Sequence, residues 1–173
     1  MSPSSREIYR GKVVHLFVDE VPLPNGRSTT LEVIRHVGAA AALPFVSEDE
    51  VLLVRQFRHA AGGWLIEVPA GKLDDGENPD VCARREVEEE VGFRAGRLEK
   101  LGAILTTPGF TDEVIHLYEA HELVEATAML EDDEVLTPMR VRFDDAVAMV
   151  LRGEIHDAKS VCAILLAQAR RTK

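Results

Sequence analysis

Residues 71–93 read GKLDDGENPDVCARREVEEEVGF and join a glycine-bearing loop to a segment that concentrates glutamates. Asn78 and Pro79 predict the start of a helix, because asparagine caps helix N-termini and proline suits the first helical position. Gly92 predicts the end of that helix, since glycine accepts the left-handed conformation that often follows a helix. At about 100° per residue, one face carries three glutamates within an arc of roughly 100°, namely Glu86, Glu89 and Glu90.

The crowding of negative charge on this face indicates a function. Carboxylates spaced i, i+3 and i+4 repel one another and weaken an isolated helix. Arg85 can reach Glu89 one turn away or lean back on Glu77, but one arginine cannot neutralise three glutamates. Mg²⁺ binds carboxylate oxygens together with substrate phosphates. The sequence therefore predicts a Mg²⁺ platform for a phosphate-containing substrate.

The spacing of the fixed residues in this stretch resembles a family signature. Written G-x5-E-x7-R-E-U-x-E-E-x-G-U, with U apolar, it is similar to the signature of the Nudix hydrolase superfamily, and we call residues 71–93 the box. The matching residues are Gly71, Glu77, Arg85, Glu86, Val87, Glu89, Glu90, Gly92 and Phe93. Phe93 is bulkier than the usual aliphatic residue. Seven fixed residues coincide by chance about once in 10⁸ windows, so a merely solvated acidic helix is the weaker explanation.

Length and composition restrict the class of protein. A chain of 173 residues, 46% of them hydrophobic, suffices for one domain with its own core. The formal net charge of −10 argues against a general nucleic-acid binder, since phosphate backbones require clustered lysine and arginine. Cys82 and Cys162 are expected to be reduced thiols. The N-terminus has no apolar signal region, and no apolar run of 18 residues occurs. We therefore expect a cytoplasmic, soluble protein without membrane partners.

Residues 1–37 are expected to form a module of N-terminal strands. The β-rich segments 13–21 and 28–37 flank Asn25-Gly26, and Asn-Gly is a strong signal for a tight hairpin turn. The first eight residues are polar and are expected to be frayed. The main domain is then expected to cover residues 38–173.

The main domain alternates predicted strands with three predicted helices. Besides the box helix, a helix over 144–151 is expected to be capped by Asp144, and a closing amphipathic helix to cover 160–170. Strands interleaved with helices predict an α/β or α+β fold. The resemblance implies an α/β/α sandwich with a mixed central sheet, preceded by an N-terminal β-hairpin extension. It also implies a homodimer that exchanges its N-terminal strands.

The resemblance further implies hydrolysis of a nucleoside diphosphate linkage, with Mg²⁺ as the cofactor and Mn²⁺ as a substitute. The implied metal ligands are the backbone oxygen of Ala70 and the carboxylates of Glu86, Glu89 and Glu90. Glu89 would act through a water molecule or as a base. Glu77 and Arg85 would orient the loop against the helix, and direct contact with substrate is the alternative for Arg85.

Motifs outside the box resemble the ADP-ribose pyrophosphatase branch of the superfamily. Pro108 lies 15 residues beyond Phe93 and opens the sequence PGFTDE, while VRQFR and EVPAGK precede the box helix. The resemblance implies hydrolysis of ADP-ribose to AMP and ribose 5-phosphate. A broader hydrolase of nucleoside diphosphate sugars, acting on ADP-glucose or GDP-mannose, is an alternative because such enzymes share this layout. A nucleotide sensor without turnover is another, which the intact glutamate set disfavours.

The same resemblance implies substrate contacts for four charged residues. Arg58 would contact the diphosphate, and Glu67 would orient Arg58 or touch a ribose. Arg27 and Glu32 would reach the nucleoside half of the partner subunit's site. Ordinary strand or hairpin charges are the alternative for Arg58, Arg27 and Glu32. The nucleobase would stack on one of four aromatic residues, Phe17, Tyr9, Phe57 or Trp64.

Two acidic loops complete the expected site. By the same resemblance, Glu113, with the backbone of Gly109 and Phe110, would face the terminal ribose or a third metal ion, and a surface acid is the alternative. The resemblance also implies that the base that takes the proton from water lies in an acidic loop, which this sequence offers as Glu131, Asp132, Asp133 and Glu134. The sequence does not decide which of these four serves, and a solvated turn is the alternative.

Overall fold

The computed structural model describes residues 4–130 and 134–172. Within these ranges the chain forms ten strands, three α-helices and a short 3₁₀ turn at His59–Ala61. In chain order the strands and α-helices are β1 (Ser4–Arg10), β2 (His15–Pro22), β3 (Ser28–Arg35), β4 (Ala39–Pro44), β5 (Glu50–Arg58), β6 (Gly63–Glu67), β7 (Ala70–Lys72), α1 (Pro79–Val91), β8 (Phe93–Leu105), β9 (Val114–Glu125), β10 (Leu136–Arg142), α2 (Phe143–Leu151) and α3 (Ala158–Arg171).

Two sheets form the centre of the main domain. The first has the strand order β7-β4-β9-β8, in which β4 runs parallel to β9 while β7 and β8 pair antiparallel with their neighbours. The second is the antiparallel sheet β10-β5-β6. A bridge between Phe45 and Val51 connects the two sheets where the chain passes from β4 to β5. The mixed central sheet predicted for the fold is therefore present.

Alternate residues of β4 face opposite sides of the sheet and enter two separate cores. Ala40 and Ala42 pack in the core that contains the buried stripe of α1, formed by Cys82, Ala83, Val87 and Val91. Ala39, Ala41 and Leu43 pack in the core that contains the buried residues of α2 and α3. Helices thus cover both faces of the sheet, and the predicted α/β/α sandwich is confirmed. Small alanine side chains let helices approach β4 closely from either side.

The N-terminal segment forms a three-stranded antiparallel sheet, β1-β2-β3, rather than a hairpin alone. The hairpin of β2 and β3 is confirmed, and Gly26 adopts the positive φ of 81° that its turn requires. The expectation of a frayed start was wrong for β1, because Ser5 hydrogen-bonds Asp19 of β2 at 2.5 Å and Ser4 hydrogen-bonds Glu20 at 3.0 Å. Polar side chains that pair across strands stabilise a strand that an apolar pattern would miss.

The helix termini agree with the sequence at α1 and differ from it at α2 and α3. Asn78 caps α1 by accepting from the backbone N–H of Asp80, and Gly92 ends it with φ 72°. Asp157 caps α3, which starts two residues before the expected position. Asp144 does not cap α2, which begins at the buried Phe143 without a side-chain cap. Burial of Phe143 in the core, and not a local hydrogen bond, fixes the start of α2.

No α-helix in the described ranges combines the length and the hydropathy that a membrane crossing requires.

Candidate metal and diphosphate site

Gly71 brings the backbone of β7 against the carboxylate of Glu86 on α1. A Cβ atom at this position would lie 1.9 Å from Glu86 Oε1, which is well inside van der Waals contact. Glycine is therefore required for this approach, since any other side chain would displace the carboxylate. The first glycine of the box has a steric role that the spacing alone does not reveal.

Glu86 and Glu90 lie side by side one turn apart on α1 and are 6% and 1% exposed. Burial raises the pKa of Glu86 to about 7, and the charges of Glu89 and Glu134 raise it as well, although Arg85 opposes them. Burial, followed by the charges of Glu86 and Glu134, raises the pKa of Glu90 to about 9. Each ionised carboxylate therefore destabilises the other in the absence of a cation.

The carboxylate of Glu90 lacks a hydrogen-bond partner among the described residues, at both of its oxygens. The nearby backbone N–H of Ala70 lowers the pKa of Glu90 slightly, but it does not reach hydrogen-bond geometry. Buried polar groups in folded proteins almost always have a partner. A pair of orphaned carboxylate oxygens beside a second buried glutamate is the donor set that a hard divalent cation takes.

Arg85 ties the loop of the box to its helix. Its guanidinium donates to Glu77 Oε1 at 3.2 Å and Oε2 at 3.1 Å, and to the backbone oxygen of Lys72 at 3.1 Å. It also donates to Glu86 at 2.6 Å and to Glu89 at 3.0 Å. The guanidinium of Arg85 thus brings Glu77, Glu86 and Glu89 together. It does not donate to Glu90.

Cys82 packs the helix against the same loop. Its thiol lies 3.6 Å from the backbone oxygen of Gly71 and 3.5 Å from that of Lys72. Burial raises the pKa of the Cys82 thiol to about 12. A thiol that stays protonated is neither a nucleophile nor a metal ligand at neutral pH, so the role of Cys82 here is packing.

Arg58 and Glu67 form a bidentate ion pair at the ends of β5 and β6, with N–O distances of 3.1 and 2.9 Å. The negative charge of Glu90 helps to raise the pKa of Arg58, so this ion pair lies near the box. Sequence reasoning missed Lys159 and Asp157, which extend the pair into the start of α3. The signal was present, because Lys159 is spaced four residues before the buried Ala163 and so falls on the apolar face of α3.

The loop that contains Glu113 contacts the N-terminal sheet. The backbone N–H of Ile34 donates to the oxygen of Phe110 at 2.7 Å, and Asp112 pairs with Arg35 at 3.3 Å. Glu113 accepts from the hydroxyl of Thr106 at 2.8 Å. Gly109 lies in the same exposed loop. This loop therefore contacts β3 through Phe110 and Asp112, and Glu113 itself contacts Thr106 at the other end of the loop.

Arg27 and Glu32 lie on the exposed surface of the N-terminal sheet. Arg27 occupies the turn between β2 and β3, and Glu32 pairs in register with Val18. Arg27 is separated from the Ile34 contact by the length of β3, about 20 Å at the rise of a strand. Within the described part of the chain these two residues are not brought to the box.

Of the four acidic residues expected to supply a base, Glu131, Asp132 and Asp133 lie outside the described residues. Glu134 is described, and its charge raises the pKa of both Glu86 and Glu90. The chain before it is held against α1, since the backbone N–H of Met129 donates to the oxygen of Glu89 at 3.0 Å. Met129 and Glu134, which lie on either side of residues 131–133 between β9 and β10, are therefore both near the box glutamates.

A second group of potential metal ligands, Glu99, Glu119 and His121, lies on β8 and β9. It is distinct from the box, because Glu119 follows Leu117 on the face of β9 that packs under α2 and α3. Arg97 pairs with Glu99, and His121 lies 3.0 Å from Glu119. Both carboxylates of this group therefore have a partner, unlike the carboxylate of Glu90.

A family model described as the NUDIX domain matches residues 35–164. The chain belongs to the Nudix family. This Nudix protein is 40% identical over 169 residues to an ADP-ribose pyrophosphatase of Bacillus subtilis strain 168, an alignment that covers 96% of this chain and 91% of the relative. It is also 40% identical over 162 residues to a methanol dehydrogenase activator of Bacillus methanolicus, covering 92% and 88%.

Another relative is named for a different sugar nucleotide. The Nudix chain is 38% identical over 157 residues to a GDP-mannose pyrophosphatase of Cronobacter sakazakii, covering 80% of this chain and 81% of the relative. A solved structure titled "Crystal structure of ADP compounds hydrolase" superposes with a TM-score of 0.86 at 21% identity, covering 99% and 95%. The structural similarity shows the fold.

Replacing Gly71 with alanine is expected to weaken Mg²⁺ binding while the Nudix domain stays folded. The new Cβ would collide with the end of the flexible Glu86 side chain, which can move away from the metal position. We expect Mg²⁺ affinity in calorimetric titration to fall by about tenfold or more. Gly63→Ala is the matched control, because a Cβ there meets nothing within 4 Å. Equal Mg²⁺ affinity in Gly71→Ala and wild type would contradict the steric role.

The raised pKa values of Glu86 and Glu90 predict how pH affects the metal-free protein. Both groups have an ordinary pKa of 4.5, but the folded values are about 7 and about 9. Above pH 4.5 the unfolded chain therefore binds fewer protons than the folded chain. The stability that protonation provides is complete below that pH and is lost as the pH rises toward 9.

In EDTA, Glu90→Gln is therefore expected to unfold at a higher temperature than wild type at about pH 9, by a few degrees. The difference is expected to shrink toward about pH 5, where Glu90 is protonated in the folded protein. Glu88→Gln is the control on the same helix, because Arg94 lowers the pKa of Glu88. Thermal unfolding curves across this range provide the measurement. An advantage of Glu90→Gln that is constant with pH would contradict the burial of a shifted carboxyl.

Proposed function

We propose that this Nudix protein hydrolyses the diphosphate bond of ADP-ribose to AMP and ribose 5-phosphate with Mg²⁺. The observation that carries the proposal is the buried carboxylate of Glu90, without a partner in the described residues, beside Glu86 and Gly71. An arrangement of this kind is unfavourable until a dication and an anionic ligand complete it. The 40% identity to an ADP-ribose pyrophosphatase over nearly the whole chain supports the substrate.

The residues present fit a divalent cation. Two orphaned oxygens on Glu90, a second buried carboxylate and a glycine that leaves room for it form a hard oxygen donor set. The residues that would hold the ion are Glu86, Glu89, Glu90 and the backbone oxygen of Ala70. When bound, Mg²⁺ supplies charge neutralisation at the diphosphate and a more acidic water molecule, and Mn²⁺ supplies the same chemistry.

The protein's own groups then bind the substrate and orient the site. Arg58 binds the diphosphate through a guanidinium whose orientation Glu67 fixes by two hydrogen bonds. Arg85 and Glu77 hold the loop of the box against α1, which keeps the glutamates in register with Ala70. These positions reduce the reorganisation that the reaction requires.

The base that accepts the proton from the attacking water belongs, in this proposal, to the loop of residues 131–134. The electrostatic effect of Glu134 on Glu86 and Glu90 supports a loop that reaches the site. Replacing each of the four acids in turn with its amide would identify the base. The base is the acid whose replacement abolishes the rise of kcat with pH. A loop in which all four variants keep full activity would not contain the base.

A homodimer with exchanged N-terminal strands completes the proposed site. None of the described residues before Gly38 belongs to either hydrophobic core, and all seven residues of β1 are exposed. A sheet of three strands that covers no core of its own gains stability by packing against a second copy. Arg27 and Glu32 would then serve the nucleoside half of the neighbouring site, and Glu113, Gly109 and Phe110 the terminal ribose.

A broader sugar-nucleotide hydrolase is the second candidate, and the identity to a GDP-mannose pyrophosphatase favours it. The two candidate functions share the diphosphate that the box would bind. They differ in the groups attached to that diphosphate. A nucleotide sensor without turnover is the candidate of another class. It would have no need to retain the full set of buried glutamates.

A substrate panel tests the proposal directly. With Mg²⁺, we expect the highest kcat/KM for ADP-ribose, with AMP and ribose 5-phosphate as products, when ADP-glucose and GDP-mannose are measured side by side. Glu90→Gln is expected to lower kcat by about 10²-fold or more, because it removes charge at the metal. Glu88→Gln on the same helix serves as the control. Faster turnover of GDP-mannose would favour the second candidate, and thermal stabilisation by ADP-ribose without product would favour the sensor.

Sedimentation tests the proposed dimer. The chain has a mass of 19.1 kDa, and we expect a species of twice that mass at working concentrations. A variant that lacks residues 1–37 is expected to be monomeric and to bind ADP-ribose more weakly, because the partner's nucleoside contacts are lost. A fully active monomer of the whole chain would contradict strand exchange.

A further inference from the structure

A row of four alternating charges runs from the site into the start of α3. Glu67 accepts from Arg58 on one side and from Lys159 on the other, where the Nζ–Oε2 distance is 2.6 Å. Lys159 also donates to Asp157 Oδ2 at 2.9 Å. Glu67 thus lies between two cations, and Lys159 lies between two carboxylates.

Burial along this row is greatest at Glu67. The side chain of Glu67 is 1% exposed and that of Lys159 10%, whereas those of Arg58 and Asp157 at the two ends are 40% and 20% exposed. Water can therefore solvate Arg58 but cannot replace Lys159 at the Glu67 carboxylate. A buried carboxylate that loses one of its two counter-ions moves or takes up a proton, because an unpaired buried charge is unfavourable. The orientation of Glu67 therefore depends on Lys159.

The start of α3 holds Lys159 rigidly. Ser160 Oγ accepts from the backbone N–H of Val68 at 2.8 Å and donates to Asp157 Oδ2 at 2.6 Å. Asp157 also accepts from the backbone N–H of Ser160 as the N-cap of α3. Val68 directly follows Glu67, so the helix start and the carboxylate are connected through both side chains and backbone.

We propose that Lys159 is a positioning residue that aims Arg58 at the diphosphate through Glu67. Arg58 uses its Nε and one Nη2 hydrogen on Glu67, so the other edge of the planar guanidinium points away and is available to an anion. Lys159 fixes the carboxylate plane that this orientation requires. The kinetic consequence rests on the proposed function, whereas the placement of Arg58 can be measured without turnover.

Lys159→Met tests the proposal, since it removes the ammonium and keeps a long, unbranched side chain. We expect KM for ADP-ribose, and Kd for ADP in Mg²⁺ measured by calorimetry, to rise about tenfold while kcat changes less than about twofold, because ground-state and transition-state binding weaken together. In NMR, the Arg58 Nε–H signal, identified by its loss in Arg58→Lys, is expected to exchange faster with solvent.

A double-mutant cycle tests whether the effect passes through Glu67. In a Glu67→Gln background, Lys159→Met is expected to cause no further rise in KM, because residues that act through a shared partner are not additive. Additive effects of the two substitutions would overturn this route.

Two controls separate positioning from stability and from net charge. Phe143→Leu loosens core packing at the opposite end of α3, where Phe143 contacts Arg171, without a change of charge, and is expected to lower Tm while KM is unchanged. Arg152→Met removes an equal charge from an exposed position and is expected to leave KM unchanged. If Phe143→Leu matched the KM rise at an equal loss of Tm, the role of Lys159 would be structural, and the proposal would be overturned.

The proposal and the proposed function fail in different ways. Unchanged Kd and unchanged Arg58 exchange in Lys159→Met, with ADP-ribose turnover intact in wild type, would overturn the positioning role alone. A wild-type protein without turnover of any sugar nucleotide would overturn the function, and the exchange rate of Arg58 would still decide whether Lys159 positions it.

Discussion

The repulsion between Glu86 and Glu90 is the constraint on which the rest of the site depends. The apolar stripe of α1 packs into the sheet on an adjoining face, and that packing carries both carboxylates out of water. Hydrophobic burial along the helix outweighs the cost of bringing the two groups together. The result is a raised pKa at each glutamate. When both carboxylates are ionised, their repulsion is unfavourable, and a bound cation would reduce it.

The nearby cations of Arg85 and Arg58 do not pair with Glu90, because they pair with other carboxylates. Arg85 is occupied by Glu77, Glu86 and Glu89 and lies on the loop side of the helix. Arg58 is drawn to Glu67, which itself shares Lys159. Arg85 and Arg58 are thus each paired with carboxylates other than Glu90. The Glu90 carboxylate keeps no hydrogen-bond partner among the described residues, and the same ion pairs connect the loop, the strand ends and the helix start around it.

Local rules predicted the features that neighbouring residues decide. Asn78 and Gly92 bound the box helix as expected, because capping needs only backbone and side-chain groups a few residues apart. The hairpin turn at Gly26 follows from backbone conformation in the same way. Asp144 was a poor guide to α2, since core packing of Phe143 overrides a capping preference. β1 was missed because its stabilising pairs lie on another strand.

The sequence by itself determined the box, the face on which its three glutamates lie and an α/β or α+β alternation of elements, and its resemblance to the Nudix family implied the α/β/α sandwich. Helical periodicity and fixed spacing are properties of the chain, so they can be read without coordinates. Only the tertiary structure decided that Gly71 touches the Glu86 carboxylate and that Glu90 lacks a partner among the described residues. It also joined Lys159 to Glu67 across 92 residues of chain. Contacts of that kind depend on how separate elements pack, and packing is a non-local outcome that no short stretch of sequence encodes.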